Sequence, residues 1–87
     1  MSSPARISYD CFDDLIAQLR VAGHTSTADQ LDVMLHRIAW TTGSELLGEL
    51  GLEILQFQRS TPSVSETLLQ SVSRSLEMVR RVWPDIR

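Results

Sequence analysis

The chain has 87 residues, a net charge of −3 and a hydrophobic fraction of 43%, with no break in composition. These values predict one domain, whose folding removes roughly 64% of the unfolded chain's surface from water. The eight basic residues are all arginine and are scattered from Arg6 to Arg87, so the clustered cations that phosphate binding requires are missing and no nucleic-acid partner is expected.

No apolar run approaches the roughly 18 residues of a membrane span. The opening "MSSPARISYDCF" lacks the apolar stretch of a secretory leader, so a soluble, cytoplasmic chain without a membrane partner is expected. Cys11, the single cysteine, cannot form an internal disulfide and is expected to act as a small buried apolar residue. The absence of lysine and asparagine reads as the codon bias of a GC-rich, bacterial genome.

Four helices are expected in chain order, over about 8–22, 27–40, 42–58 and 62–83. In the first, Ser8 is placed to cap the N-terminus, with Asp10, Asp13 and Asp14 in the first turn, Arg20 in the last and Gly23 as the stop. Tyr9, Phe12, Leu15, Ile16 and Leu19 fall on one face. The second follows "GHTST", where Thr27 and Gln30 have the spacing of a capping box, and its stripe is Leu31, Met34, Leu35 and Ile38, ending near Trp40. Thr42 and Glu45 have the same spacing at the start of the third. The fourth has Pro62 near its start, Pro84 as its stop and a face of Leu68, Leu69, Val72, Leu76, Val79 and Trp83. No stretch alternates with period two for long enough to be a strand. The fold class is therefore all-α, a compact four-helix bundle forming a single domain over 1–87.

The third helix is the most unusual of the four. Leu46, Leu47, Leu50, Ile54, Leu55 and Phe57 spread over about half its circumference. An arc that wide predicts a central helix packed against the first, the fourth and the second. Gly48 and Gly51 flank the arc, and each costs roughly 1 kcal/mol against alanine, so a close approach by another backbone is expected to offset them. The polar remainder holds Glu45, Glu49 and Glu53 at four-residue spacing with no base beside them, an arrangement that costs a few tenths of a kcal/mol per pair. Arginines of neighbouring helices, such as Arg37 or Arg74, offer one relief. A basic partner offers another. The fourth helix, by contrast, carries Glu77 with Arg81, and Glu66, Gln70 and Arg74 in a row, as a solvent-adapted face.

Reactive groups do not converge in the sequence. Every Asp and Glu falls on a polar face or a helix start, so no acid–base pair is formed and no enzyme is expected. His24 follows a helix end, and His36 lies four residues after Asp32; no further ligand completes a metal site, and no metal or organic cofactor is expected. Val33 and Trp40, seven residues apart on the second helix with His36 and Arg37 beside them, have the composition of an interface anchor. The other reading of Trp40 is that it folds over the third helix and seals the core. The candidate partner-binding residues are thus Val33, His36, Arg37, Trp40, Glu45, Glu49 and Glu53, facing a protein with a basic patch.

The run "LIAQLRVAGHTSTADQLDVMLHRIAWTTGSELLGELGLEIL" carries an L-x-x-x-G-H helix end, an A-D-Q-L segment and a G-S-E-L-L helix start. In these it resembles short helical bacterial proteins of unknown function, over about half the chain. In size and helicity it is also similar to small immunity proteins and antitoxins, which neutralise a toxin by binding it. The resemblance implies a small non-catalytic protein–protein interaction module, immunity, antitoxin or adaptor in type. A homodimeric structural subunit is the alternative, since small helical chains bury surplus apolar surface by pairing. A small-ligand module is weaker, because so short a chain leaves little room for a cavity.

Overall fold

The computed structural model describes residues 9–86. They form four helices and, among the described residues, no strand: α1 (Asp10–Val21), α2 (Thr25–His36), α3 (Gly43–Ser60) and α4 (Glu66–Arg80). Each packs on the next, and α4 closes back on α1. The buried apolar residues of all four belong to one cluster, with Leu19, Leu47, Leu50 and Val79 fully out of solvent. The fold is the expected all-α bundle.

The first connection is fixed by hydrogen bonds that a glycine makes available. Gly23 has φ of 89°; its N–H donates to Arg20 O at 3.1 Å, and His24 N–H donates to Leu19 O at 2.8 Å. This paired bonding is the Schellman ending, in which a left-handed residue turns the chain back and satisfies two terminal carbonyls. The turn delivers His24 directly to the start of α2. The second helix therefore begins at Thr25 with His24 as its N-cap, and no side chain caps it. Thr27 and Gln30 lie inside the helix, which corrects the expected capping box. The cap assigned to Ser8 lies outside the described residues; α1 starts from Tyr9, without a side-chain cap bond.

The end of α2 also differs, because Trp40 is not helical. Its indole Nε1–H donates to Met34 O, taking one of the carbonyls left open at the helix end, while Arg37 N–H donates to Val33 O at 2.9 Å and Ile38 N–H to the same oxygen at 3.2 Å. The chain leaves the helix at His36. Ile38, expected in the buried stripe, is 45% exposed as a result.

The other two starts follow serine and threonine chemistry. Thr42 Oγ1 accepts from Glu45 N–H at 3.1 Å, as expected, but Glu45 Oε1 accepts from Thr41 N–H at 3.4 Å rather than closing the box on Thr42. Ser65 Oγ accepts from Leu68 N–H at 3.2 Å and starts α4 three residues beyond Pro62, which sits in the connection before it. At the other end, Val82 N–H and Trp83 N–H both donate to Val79 O, so α4 closes before Pro84. Leu69 and Trp83, expected on the core face, are both exposed. Their places against α1 are taken by the small buried residues Ser71 and Ser75, whose hydroxyls donate to Asp14 Oδ2 at 3.3 Å and Cys11 O at 3.4 Å.

The wide arc of α3 supplies seven buried residues, Gly51 among them, more than any other helix. Its backbone neighbours are α2 and α4, whereas α1 lies across the bundle with no Cα within 8 Å of it. The arc reaches the centre through its side chains, which share one core cluster with Phe12, Leu15, Ile16 and Leu19 of α1, while the two backbones stay apart. Both glycines are closely approached, as expected, but by side chains. A Cβ on Gly48 would stand 3.2 Å from Trp83 Nε1, and one on Gly51 would stand 2.7 Å from both Ile86 Cδ1 and Val79 Cγ1. Gly48 is thus a notch for Trp83, and Gly51 one for Ile86 and for Val79 of α4.

Candidate functional site

Where the tail crosses α3, it leaves an open groove of about 740 Å³. Glu45, Gly48, Glu49 and Leu52 of α3 form one wall, and Trp83, Pro84, Asp85 and Ile86 form the other. The local cause is the sequence at the end of α4. Proline at 84 cannot continue a helix, so the chain bends; Trp83 Nε1–H then donates to Ser44 O at 2.7 Å, and Ile86 N–H to Trp83 O at 3.2 Å. These bonds hold the indole beside the Gly48 notch. Apolar surface nevertheless remains open: Leu52 is 53% exposed and Trp83 45%.

Among the described residues, the ionisable side chains that line the groove are all carboxylates. Glu45, Glu49 and Asp85 line it, and no described arginine or histidine does. Glu45 accepts the Thr41 N–H, whereas Glu49 makes no hydrogen bond or ion pair with any described residue. Glu53, one turn further on and half-buried, makes none either. The relief expected from Arg37 or Arg74 is not found among the described ion pairs, since the arginine in them is Arg20. No described base relieves the like-charge repulsion along this strip.

The remaining expected partner-binding residues are dispersed. His36 Nε2 donates to Asp13 Oδ1 at 2.7 Å and stands 3.9 Å from Asp32 Oδ1, so it ties α2 to α1. Trp40 is half-buried against the core and capped onto Met34 O. Val33 is exposed beside Ser26, Asp29 and Gln30 in a shallow depression, and Arg37 is the C-cap of α2. Because α2 ends before Trp40, the Val33–Trp40 pair does not share a helical strip.

Sequence reasoning located Glu45 and Glu49 but missed Leu52, Trp83 and Asp85. Leu52 carries a signal, being an apolar residue outside the arc of α3. Trp83 was assigned to the α4 core face, although Pro84 behind it marks the chain's departure from that helix.

The two other polar groups with sequence interest are structural. His24 packs its ring edge-on against Phe57, with centroids 5.0 Å apart and planes at 75°. Cys11 is half-buried, and burial pushes its thiol above the ordinary 9.0 despite the opposing influence of Ser75 and Arg74; a thiol so placed is a poor nucleophile. Among the described residues, no three His, Cys, Asp or Glu side chains come together as metal ligands, and no helix is long and apolar enough to cross a membrane. Comparison with known protein families, curated proteins and solved structures finds no match.

Proposed function

We propose that this chain is a non-catalytic protein-interaction module of the cytoplasm, acting by binding another protein through the groove between α3 and the C-terminal segment. The observation that carries the reading is the union of an exposed apolar surface, Leu52 with Trp83, and a margin of carboxylates without basic partners among the described residues. A desolvated apolar centre supplies affinity, and the surrounding charges supply register and selectivity. Action of this kind is that of an immunity protein, an antitoxin or an adaptor, in which the partner is occluded or positioned rather than chemically altered.

Self-assembly through the same face is disfavoured. In a two-fold dimer the same patch meets itself, so Glu45 and Glu49 of one protomer would face the same carboxylates of the other. Like charges placed together across an interface cost several kcal/mol. The groove therefore favours a partner of different charge.

The reading is tested by comparing the proteins retained by the wild-type chain, by Glu49→Arg and by Arg37→Glu, each immobilised from its source cell under gentle salt. Expected is a partner held by the wild type and by Arg37→Glu, and lost by Glu49→Arg. Equal retention by Glu49→Arg, with loss by Arg37→Glu, moves the docking surface to α2 and contradicts the proposal.

A further inference from the structure

We infer that the occupant of the groove is a basic segment of the partner protein, anchored by an arginine whose guanidinium lies against the Trp83 indole and pairs with Glu45 and Glu49. The inference rests on the docking reading above and names the chemistry of that site. The first support is charge complementarity, since the described ionisable side chains that line the groove are Glu45, Glu49 and Asp85, all acids.

The second support is the state of the indole. Its single donor is already committed to Ser44 O at 2.7 Å, so Trp83 has no hydrogen bond left to offer an acceptor on a ligand. What it presents is aromatic surface, 45% exposed and fixed in place against Gly48. Such a surface attracts cations through the ring quadrupole and apolar groups through burial, and a planar guanidinium uses both at once. Leu52 and Pro84 extend the apolar wall, against which the methylene stem of an arginine can lie.

The third support separates an organic cation from an inorganic one. A divalent metal needs several oxygen ligands converging on one point, and no such group of three acids forms among the described residues. A guanidinium, with five N–H donors spread over a plane, matches carboxylates that stand apart along a groove.

The experiment is a titration of the whole protein with the peptide acetyl-Leu-Arg-Leu-Arg-amide, and in parallel with its citrulline counterpart, which keeps the shape and removes the charge. Binding is followed by NMR of the two tryptophan indole N–H signals, assigned through Trp83→Phe. Expected is a saturable shift of the Trp83 signal with the arginine peptide, an unmoved Trp40 signal, and binding weaker by about five- to thirtyfold for the citrulline peptide, the combined size of an exposed cation–π contact and a surface ion pair. Glu49→Gln, a substitution at a side chain with no described internal bond, is expected to weaken the arginine peptide severalfold and leave the citrulline peptide unchanged. Equal affinity for the two peptides overturns the guanidinium anchor while leaving the groove as a docking site. Failure of both to move the Trp83 signal, or a shift confined to the Trp40 signal, overturns the anchor and the docking reading together.

Discussion

On the α1–α2 side, Arg20 reaches Asp29 at 2.7 Å and Asp32 at 3.5 Å, and His36 reaches Asp13 at 2.7 Å, so acids and bases are matched within the chain. Along α3 the acids are spaced just as regularly, yet Glu49 and Glu53 meet no described base, and an apolar groove opens beside them. Composition alone does not distinguish the two sides, since both are helical, acidic and solvent-facing. The difference lies in which acids were given a partner by folding. Isolated exposed ion pairs add little to stability, so the contrast bears more on binding than on folding: on one side Arg20 and His36 meet acids within the chain, and on the other Glu49 and Glu53 meet no described base.

The largest expected effect tests whether Trp40 belongs to the matched, structural side. Trp40→Ala removes a half-buried aromatic and leaves Met34 O without its cap, which is expected to cost about 2–3 kcal/mol. Thermal melting should fall by roughly 10 °C or more. Partner affinity measured below the transition should stay intact. A variant that melts normally but loses its partner would move Trp40 to the interface.

Next comes the notch on the groove side. Gly51→Ala gains helix propensity of roughly 1 kcal/mol, but its Cβ would meet Val79 Cγ1 at 2.7 Å, and a fully buried valine with a stiff χ1 cannot withdraw cheaply. A net loss of about 1 kcal/mol is expected, read by denaturant midpoint. The same substitution should shift the Trp83 indole signal as Ile86 is pushed off α3. A gain in stability would mean that the tail is not seated in the notch.

The two sides should then answer charge removal with opposite signs. Asp13→Asn takes a partner from His36 and is expected to lose about 0.5 kcal/mol. Glu49→Gln relieves repulsion from Glu45 and Glu53, each four residues away, and is expected to gain up to about 0.5 kcal/mol at low salt. Paired urea melts at low and high ionic strength check both, and like signs would erase the distinction.

The smallest effect is on the closed α1–α4 seam. Burial holds the Cys11 thiol above 9.0, so the unfolded chain releases that proton first as the pH rises. The thiol's contribution is present below pH 9.0 and is lost as pH climbs through the folded-state value. Cys11→Ala should remove that part of the alkaline decline, and the native thiol should react with a disulfide reagent near neutrality more slowly than free cysteine does.

Periodicity made the four helices legible, because Phe12 and Leu15, Leu31, Leu47 and Leu50, and Val72 and Val79 fall on the apolar stripes of the four and are all buried. It failed at the end of α2, where the fold-back of Trp40 leaves no period to read, whereas Gly23 is legible as the stop of α1. Ser71 and Ser75 were missed for a related reason: hydropathy treats serine as a surface residue, whereas both are buried and bonded across to α1. Half of the groove was visible as the acidic strip of α3. Its other wall depends on a tail that crosses α3 only after the helix before it has ended, and no local pattern carries that contact.

The central claim, that the chain meets its partner on the α3–tail side, is tested most directly by placing the photo-crosslinking residue p-benzoylphenylalanine at Leu52 or at Val21 and irradiating the source cells. Both positions are exposed, at 53% and 91% respectively, so neither substitution needs the core to yield. A covalent adduct with another protein at Leu52, with none at Val21, is the predicted result. An adduct at Val21 alone, or equal labelling at both, would contradict it.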